Sequence, residues 1–322
     1  MTQTSPFRDL LRWWLALECC FPQETPAGHL PFVPPHGGTG RLPDRRGHAM
    51  SHIAIDGRRL HYELAGSGQP VVLVHGSWDD RSGWDPLVPQ LSSRLHVLRY
   101  DRRGHGRSDG GTAVRPLSED VEDLARLLRD LDHGPAHVVG HSYGATVALL
   151  LAARHPRLCS GLTVHEPPLF GMLAGTPHNA EFDEVRERAA KVAELLGADE
   201  REAAARMFID EVGFGPGTWD LELDARRRST FTTHGPVWLA RMADPEPPTL
   251  RAEHFSGISA PVLLTRGDRG LPWYRPIIDL LADAVPGARK RTLRGCGHAP
   301  QTTHPQEYAA IVTGEATAPV EH

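Results

Sequence analysis

The sequence has few cysteines, no long apolar run and no large excess of either charge. Four cysteines in 322 residues are too few for a disulfide framework, and adjacent Cys19 and Cys20 suit neither a zinc knuckle nor an ordinary bridge. No apolar stretch approaches the roughly 20 residues that span a bilayer. The 35 basic and 40 acidic residues form neither a basic stripe nor an acidic tail. We therefore expect a cytoplasmic protein with no nucleic-acid or membrane partner.

The first 49 residues differ in character from the rest of the chain. Residues 22–48 are rich in proline and glycine and show little periodicity, which predicts an extension, poorly ordered and without a chemical role. The segment Trp13 to Phe21 is only a weak match to a signal peptide, because Glu18 interrupts it and no small-residue cleavage site follows. A globular domain is expected to begin near residue 50.

From residue 50, short apolar runs alternate with helical patterns, which indicates one α/β domain with a mostly parallel, doubly wound sheet. A hairpin is predicted around Asp56-Gly57, followed by strand-like runs at 70–76, 95–101, 136–142, 160–166 and 260–268. The interval 167–259 carries amphipathic helices without a strand. We interpret it as a helical lid inserted after the sixth strand, over a core formed by residues 50–166 and 260–322.

One pentapeptide suggests nucleophilic chemistry. Gly140-His141-Ser142-Tyr143-Gly144 stands between an apolar strand and a helical run, where a G-x-S-x-G turn raises its serine hydroxyl above the sheet. Small residues are needed on both sides because the turn is tight. The alternative is a glycine-rich turn whose serine only caps the helix. In this context we favour Ser142 as a nucleophile.

With this motif the chain resembles the α/β-hydrolase superfamily over approximately residues 52–315. The resemblance also uses VLVHGSWDD (72–80), YDRRGHGRSD (100–109) and RGCGHAPQTTHP (294–305). It implies that the amides of Ser77 and Tyr143 form an oxyanion hole and that His298 is the base. The loop at 100–109 is interpreted as structural, with Asp101 and Arg103 bonding nearby backbone.

The acidic partner of His298 does not follow the usual pattern of this family. The family resemblance would place it three residues beyond Gly267, but that position is Gly270. Asp268 lies in the same loop, whereas Glu166 ends the strand after that of Ser142, and Pro167 predicts extended backbone there. The His165-Glu166-Pro167-Pro168 stretch resembles the H-E-x-P pattern of zearalenone-type lactonases. We favour Glu166 and leave Asp268 open.

The resulting expectation is a serine hydrolase that cleaves a carboxylic ester or lactone through an acyl-enzyme, without cofactor or metal. Trp78, Trp219 and Trp273 are candidates for a pocket that accepts a small hydrophobic substrate, although such aromatic residues also form cores. Three alternatives remain: a cofactor-free perhydrolase, a carbon–carbon bond hydrolase and a non-enzymatic small-molecule receptor. A homodimer is left open.

Overall fold

A nine-stranded sheet organises the protein in a computed structural model that describes residues 42–43, 49–110 and 116–318. The strand order is β1-β2-β3-β5-β4-β6-β7-β8-β9. Pairs from β1 to β3 and between β3 and β5 are antiparallel, and the rest are parallel. The strands are β1 (Leu42–Pro43), β2 (Ala49–Ile55), β3 (Arg58–Ala65), β4 (Gln69–Val74), β5 (Leu95–Tyr100), β6 (Ala136–His141), β7 (Cys159–His165), β8 (Val262–Gly267) and β9 (Arg289–Leu293).

Helices cover both faces of this sheet. Along β4, Val72 and Val74 join one apolar cluster while Val71 and Leu73 join another, as the two-residue period of a strand requires. The described helices are α1 (Val88–Leu91), α2 (Leu117–Asp130), α3 (Tyr143–Arg154), α4 (Asn179–Gly197), α5 (Arg201–Met207), α6 (Thr218–Leu221), α7 (Ala225–Arg241), α8 (Glu246–Thr249), α9 (Tyr274–Ala284), α10 (Pro300–Thr303) and α11 (Pro305–Thr317). Helices α2, α3 and α9 pack on the first cluster, and α1 and α11 on the second. The predicted doubly wound α/β architecture is confirmed.

The segment between β7 and β8 is helical and contains α4 to α8, with a π-helical turn at Phe208–Gly213 directly after α5. This is the interval that the sequence assigns to a lid. It follows the seventh strand rather than the sixth because the two-residue β1 precedes the predicted hairpin. Helix α7 contacts the core through His234, whose Nε2 accepts a hydrogen bond from the amide of Gly106. The helical insertion therefore lies against a loop that follows a strand of the sheet.

The predicted extension lies mainly outside the described residues. Within residues 1–49, only the strand β1 and Ala49 are described, and the apolar segment Trp13 to Phe21 is not. None of the helices in the described residues combines the length and apolar character needed to cross a membrane.

Candidate active site

The turn between β6 and α3 carries Ser142 in a strained backbone conformation. Ser142 has φ of +54°, and its amide donates to the carbonyl of His165 at 2.9 Å. A side chain at Gly140 would approach the carbonyl oxygen of Gly144 to 2.5 Å, and one at Gly144 would approach that of Val74 to 2.2 Å. Only glycine fits at either place, so this sequence forms the tight strand-to-helix turn that the motif predicts.

The loop after β9 brings His298 to a carboxylate. Nδ1 of His298 lies 2.7 Å from Oε2 of Glu166, and both side chains are fully buried. The imidazole of His298 stacks on Tyr274 at 4.7 Å and meets the edge of Phe214 at 4.9 Å. These contacts hold the ring, and the bond at Nδ1 leaves Nε2 free to accept a proton.

His141 connects the nucleophile turn to the histidine loop. Its Nε2 lies 2.6 Å from the carbonyl oxygen of His298, and the two imidazoles are 4.7 Å apart. Within the described part of the chain, no direct hydrogen bond joins the hydroxyl of Ser142 to His298. Hydrogen bonds of this kind often tighten only when substrate binds. The two residues are thus connected through His141, which precedes Ser142 in the turn and contacts His298.

Gly270 stands where the family resemblance would place the acid, and its lack of a side chain leaves room for Glu166 to reach His298. A side chain at Gly270 would approach Oε1 of Glu166 to 2.9 Å, so the carboxylate occupies the space that a residue there would need. Oε1 also accepts a hydrogen bond from the amide of Gly267 at 2.8 Å. Asp268 is exposed and instead accepts from the amide of Gly295 at 2.7 Å. Of the two candidate acids, the structure brings Glu166 to the imidazole.

The backbone at Glu166 differs from the expectation. Pro167 was expected to hold it extended, but Glu166 has φ of +46°, in the left-handed region. Its amide donates to the carbonyl of Thr265 on the neighbouring β8 at 3.2 Å. Strained conformations of this kind cost about 1–3 kcal/mol and persist where surrounding contacts fix them. The strand therefore ends in a left-handed bend at the carboxylate.

Burial controls protonation in this cluster. Burial raises the pKa of Glu166 above its ordinary value, although His165 beside it and the amide of Gly267 act in the opposite direction. Burial also lowers the pKa of His298 and of His165. Near neutral pH His298 is therefore uncharged, as a general base must be.

His165 stands on the far side of the carboxylate. Its Nδ1 lies 3.0 Å from the hydroxyl of Thr265, and its Nε2 lies 3.7 Å from Oε2 of Glu166. Among the described residues, His165, Glu166 and His298 are the group whose donor atoms converge, all within 4.8 Å. A cation could use them only if the short bond between Glu166 and His298 opened. As it stands, the arrangement suits proton transfer.

On the other side of Ser142, both predicted oxyanion residues reach a common cavity. Ser77, Ser142 and Tyr143 line a cavity of about 120 Å³. The Tyr143 hydroxyl donates to Asp120 at 3.0 Å and accepts from Arg241 at 2.7 Å. Asp120 also binds both terminal nitrogens of Arg241. This buried charged cluster was not predicted, because Asp120 and Arg241 lie 121 residues apart and carry no local signal.

The remaining cavity walls are mostly apolar and come largely from the insertion and its flanking loops. They include Pro168, Phe170, Phe182, Phe208, Val212, Trp238 and Met242. Asp244 adds a buried carboxylate, which accepts from the amides of Leu117 and Glu246. A small and largely apolar substrate fits these walls.

The three tryptophans proposed for the pocket do not line this cavity. Trp78 lies behind the wall and stacks on Phe208 at 4.5 Å. Trp273 is fully buried beneath the guanidinium of Arg188, and Trp219 beneath that of Arg228. All three are core residues, and this corrects the expectation. The signal that could have found Phe208 and Trp238 is their place in the insertion, but aromatic residues at such positions also pack into a core.

The loop after β5 makes the backbone contacts expected of it. Nη2 of Arg103 donates to the carbonyl of Ile55 at 3.1 Å, and Asp101 accepts from the amides of Arg81 and Arg107 at 2.9 Å. His105 is buried between two carbonyl oxygens and reaches that of Ser77 at 2.7 Å. Its place beside the loop of Ser77 agrees with a structural role rather than that of a base.

Comparisons with known proteins find relatives among alpha/beta hydrolases. The model of the alpha/beta hydrolase family matches residues 71–311. RutD of Azorhizobium caulinodans, named as a carbamate hydrolase, is 28% identical over 264 residues, which cover 79% of this chain and 94% of RutD. A solved alpha/beta hydrolase from Sphaerobacter thermophilus is 28% identical, with a TM-score of 0.62 over 84% of this chain and 99% of that one. Est816, described as an N-acyl homoserine lactone degrading enzyme, is 24% identical, with a TM-score of 0.66 over 82% and 99%.

Proposed function

Because the chain belongs to the alpha/beta hydrolase family, we propose that it is a serine hydrolase that cleaves a carboxylic ester or lactone of a small hydrophobic substrate. The observation that carries this proposal is the position of Ser142 on a strained turn at the cavity, beside the buried pair of His298 and Glu166. A nucleophile, a neutral base and an acid that orients the base are the parts required for acyl transfer.

In the proposed mechanism, Nε2 of His298 takes the hydroxyl proton as Oγ of Ser142 attacks the substrate carbonyl carbon. The amides of Ser77 and Tyr143 stabilise the oxyanion, and His298 then donates the proton to the leaving alkoxide. Water, deprotonated by the same imidazole, hydrolyses the acyl-enzyme and restores the serine. In a lactone both products of the first step stay joined, so the ring opens to one hydroxy acid.

The cavity walls support a neutral, apolar substrate. Among the described lining residues, the one arginine is Arg241, whose charge is compensated by Asp120. Phe170, Phe208 and Trp238 offer aromatic surface close to the nucleophile. Lactone cleavage has two further supports. Est816, a protein of similar structure, is described as degrading N-acyl homoserine lactones. The acid Glu166 follows β7 at the position where zearalenone-type lactonases, which share the H-E-x-P pattern, carry theirs.

Labelling with a fluorophosphonate probe, followed by p-nitrophenyl esters of increasing chain length and a lactone panel, tests this proposal. The wild-type protein should be labelled and should hydrolyse short apolar esters or lactones, and Ser142→Ala should lose both properties. Ser256→Ala is the matched control, because Ser256 is exposed and its hydroxyl bonds, among the described residues, only the nearby carbonyl of Glu253. Unchanged hydrolysis in Ser142→Ala would refute the serine mechanism. Cleavage of diones in preference to esters would favour the carbon–carbon hydrolase instead.

A further inference from the structure

The loop that follows β4 is held by a side chain from the loop that follows β5. Arg102 is buried, and its Nη2 donates to the carbonyl oxygen of Gly76 at 2.8 Å while its Nε donates to that of His75 at 3.3 Å. The carbonyl of Gly76 and the amide of Ser77 belong to one peptide unit. Because this peptide is trans, the two groups point in opposite directions. A guanidinium that fixes the carbonyl therefore also fixes the direction of the N–H.

We propose that Arg102 is a positioning residue that aims the amide of Ser77 at the developing oxyanion by anchoring the carbonyl of Gly76. The inference rests on the proposed serine-hydrolase function, since it assigns Arg102 a part in that reaction. Arg102 is fully buried and is not one of the cavity-lining residues, so it would act through the peptide alone. Oxyanion donors are effective because they are fixed before the charge develops, so the group that fixes one contributes to the rate.

The same guanidinium also connects the two oxyanion peptides. Nη1 of Arg102 donates to Asp120 at 3.2 Å, and its guanidinium carbon lies 4.6 Å from the ring centre of Tyr143. Asp120 in turn accepts from the hydroxyl of Tyr143 at 3.0 Å. Arg102, which fixes the peptide of the Ser77 amide, and the side chain of Tyr143 therefore both bind the buried carboxylate of Asp120.

The helical insertion contributes to this framework. Arg241 of α7 binds Asp120 through both terminal nitrogens. His234 lies seven residues earlier on the same face of α7 and places Nδ1 3.2 Å from the carbonyl oxygen of Trp78, the residue after Ser77. The loop that carries the amide is therefore held from the core by Arg102 and from the insertion by His234.

The neighbouring Arg103 provides a matched comparison. It is also buried, it also pairs with a carboxylate, that of Asp123, and it also donates to a backbone carbonyl, that of Ile55 at 3.1 Å. The carbonyl that it binds lies at the end of β2, and Ile55 does not line the cavity. Arg102→Lys and Arg103→Lys therefore make the same chemical change in the same loop, but only the first alters the support of the Ser77 amide.

The test measures kcat and KM for a p-nitrophenyl ester, with both variants corrected for folded fraction. Lysine keeps the charge but cannot bond Gly76 and Asp120 in the same fork geometry. Arg102→Lys should lower kcat by about 10²-fold with little change in KM, because the aligned donor acts on the transition state. A trifluoromethyl ketone, which forms an oxyanionic adduct with the serine, should bind more weakly by the same factor as kcat/KM falls. Arg103→Lys should change stability without changing kcat.

Equal kcat in the two variants, with wild-type protein active, would overturn the inference and leave the serine-hydrolase proposal intact. If the wild-type protein were neither labelled by the phosphonate nor active, the proposed function would fail, and the inference with it. If Arg102→Lys does not fold, Arg102→Met replaces it, because methionine fills similar space but cannot donate to Gly76, while Arg241 still pairs with Asp120. That variant should show the same selective fall in kcat, and normal kcat in it would also overturn the inference.

Discussion

The two sides of Ser142 are built from different kinds of group. On the cavity side, Arg102, Asp120 and Arg241 form a cluster of permanent charges beneath the proposed oxyanion peptides. Burial raises the pKa of Asp120, but Arg241 and Arg102 outweigh it and hold that pKa below its ordinary value. On the other side, burial moves Glu166 and His298 toward their uncharged forms. One side keeps its charges at any working pH, and the other can exchange a proton.

This division follows from what each side has to do. A peptide that must present a hydrogen-bond donor in a fixed direction is best anchored by groups whose charge never changes. A base must take up and release a proton within one turnover, whereas the acid beside it only orients the base and does not exchange that proton. The arrangement predicts that substitutions on the two sides of Ser142 should have different kinetic and pH signatures.

The largest effect is expected from the proton-exchanging side, in Glu166→Gln. The amide oxygen of glutamine can still accept from Gly267, which turns its NH₂ group toward Nδ1 of His298. That contact favours the tautomer with the proton on Nε2, which cannot accept a proton from Ser142. We expect kcat to fall by about 10⁴-fold, as measured with the best ester or lactone of the panel.

The control for this variant is Asp268→Asn. Asp268 is exposed and bonds only the amide of Gly295 among its described contacts, so kcat should stay close to that of the wild-type protein. A large fall in kcat in Asp268→Asn together with normal kcat in Glu166→Gln would assign the orienting role to Asp268. The Glu166 side of Ser142 would then not be the side that exchanges the proton.

The sequence predicted the parts of the fold and site that depend on local chemistry. Near-continuous apolar runs indicated the parallel strands, and the glycines around Ser142 indicated a turn that no larger residue fits. The absence of a side chain at Gly270 pointed to Glu166, and the structure places the Glu166 carboxylate against Gly270. In each case the information lies within a few neighbouring residues.

What the sequence did not predict depends on contacts between distant segments. The pairing of Asp120 with Arg241 joins the core to the insertion, and no periodicity or spacing indicates it. The same limit explains the tryptophans, since a large aromatic residue is equally suited to a core and to a cavity wall. Arg102 stood within a recognised loop motif, but its contact with Gly76 requires the packing of two loops.

A second prediction concerns acid pH and stability. Burial lowers the pKa of nine described histidines, to about 4 for His61, His133 and His137, against about 6.5 in the unfolded chain. The others are His75, His105, His141, His165, His234 and His298. Below about pH 6.5 the unfolded state binds more protons than the folded state, so stability falls as the pH falls toward about 4.

Urea unfolding at a series of pH values measures this effect. Three buried acids with raised pKa, Asp101, Glu166 and Asp244, act in the opposite direction but are outnumbered. The free energy of unfolding should therefore drop by several kcal/mol from about pH 7 to about pH 5. His137→Gln removes one titrating group and should reduce the slope. A flat profile would contradict the lowered pKa values of these buried histidines.

The smallest effect is expected on the fixed-charge side, in Tyr143→Phe. The variant loses the hydroxyl that bridges Asp120 and Arg241, but it keeps the ring beneath Arg102 and the backbone amide that the proposed mechanism uses. We expect a loss of about 1.5–3 kcal/mol in the free energy of unfolding, typical of a hydrogen bond to a charged group. The fall in kcat should be far smaller than the about 10²–10³ that removal of an oxyanion donor causes. If kcat instead fell as far as in Glu166→Gln, the Tyr143 side chain would itself take part in the reaction, and the cavity side could no longer be regarded as a fixed support for two amides.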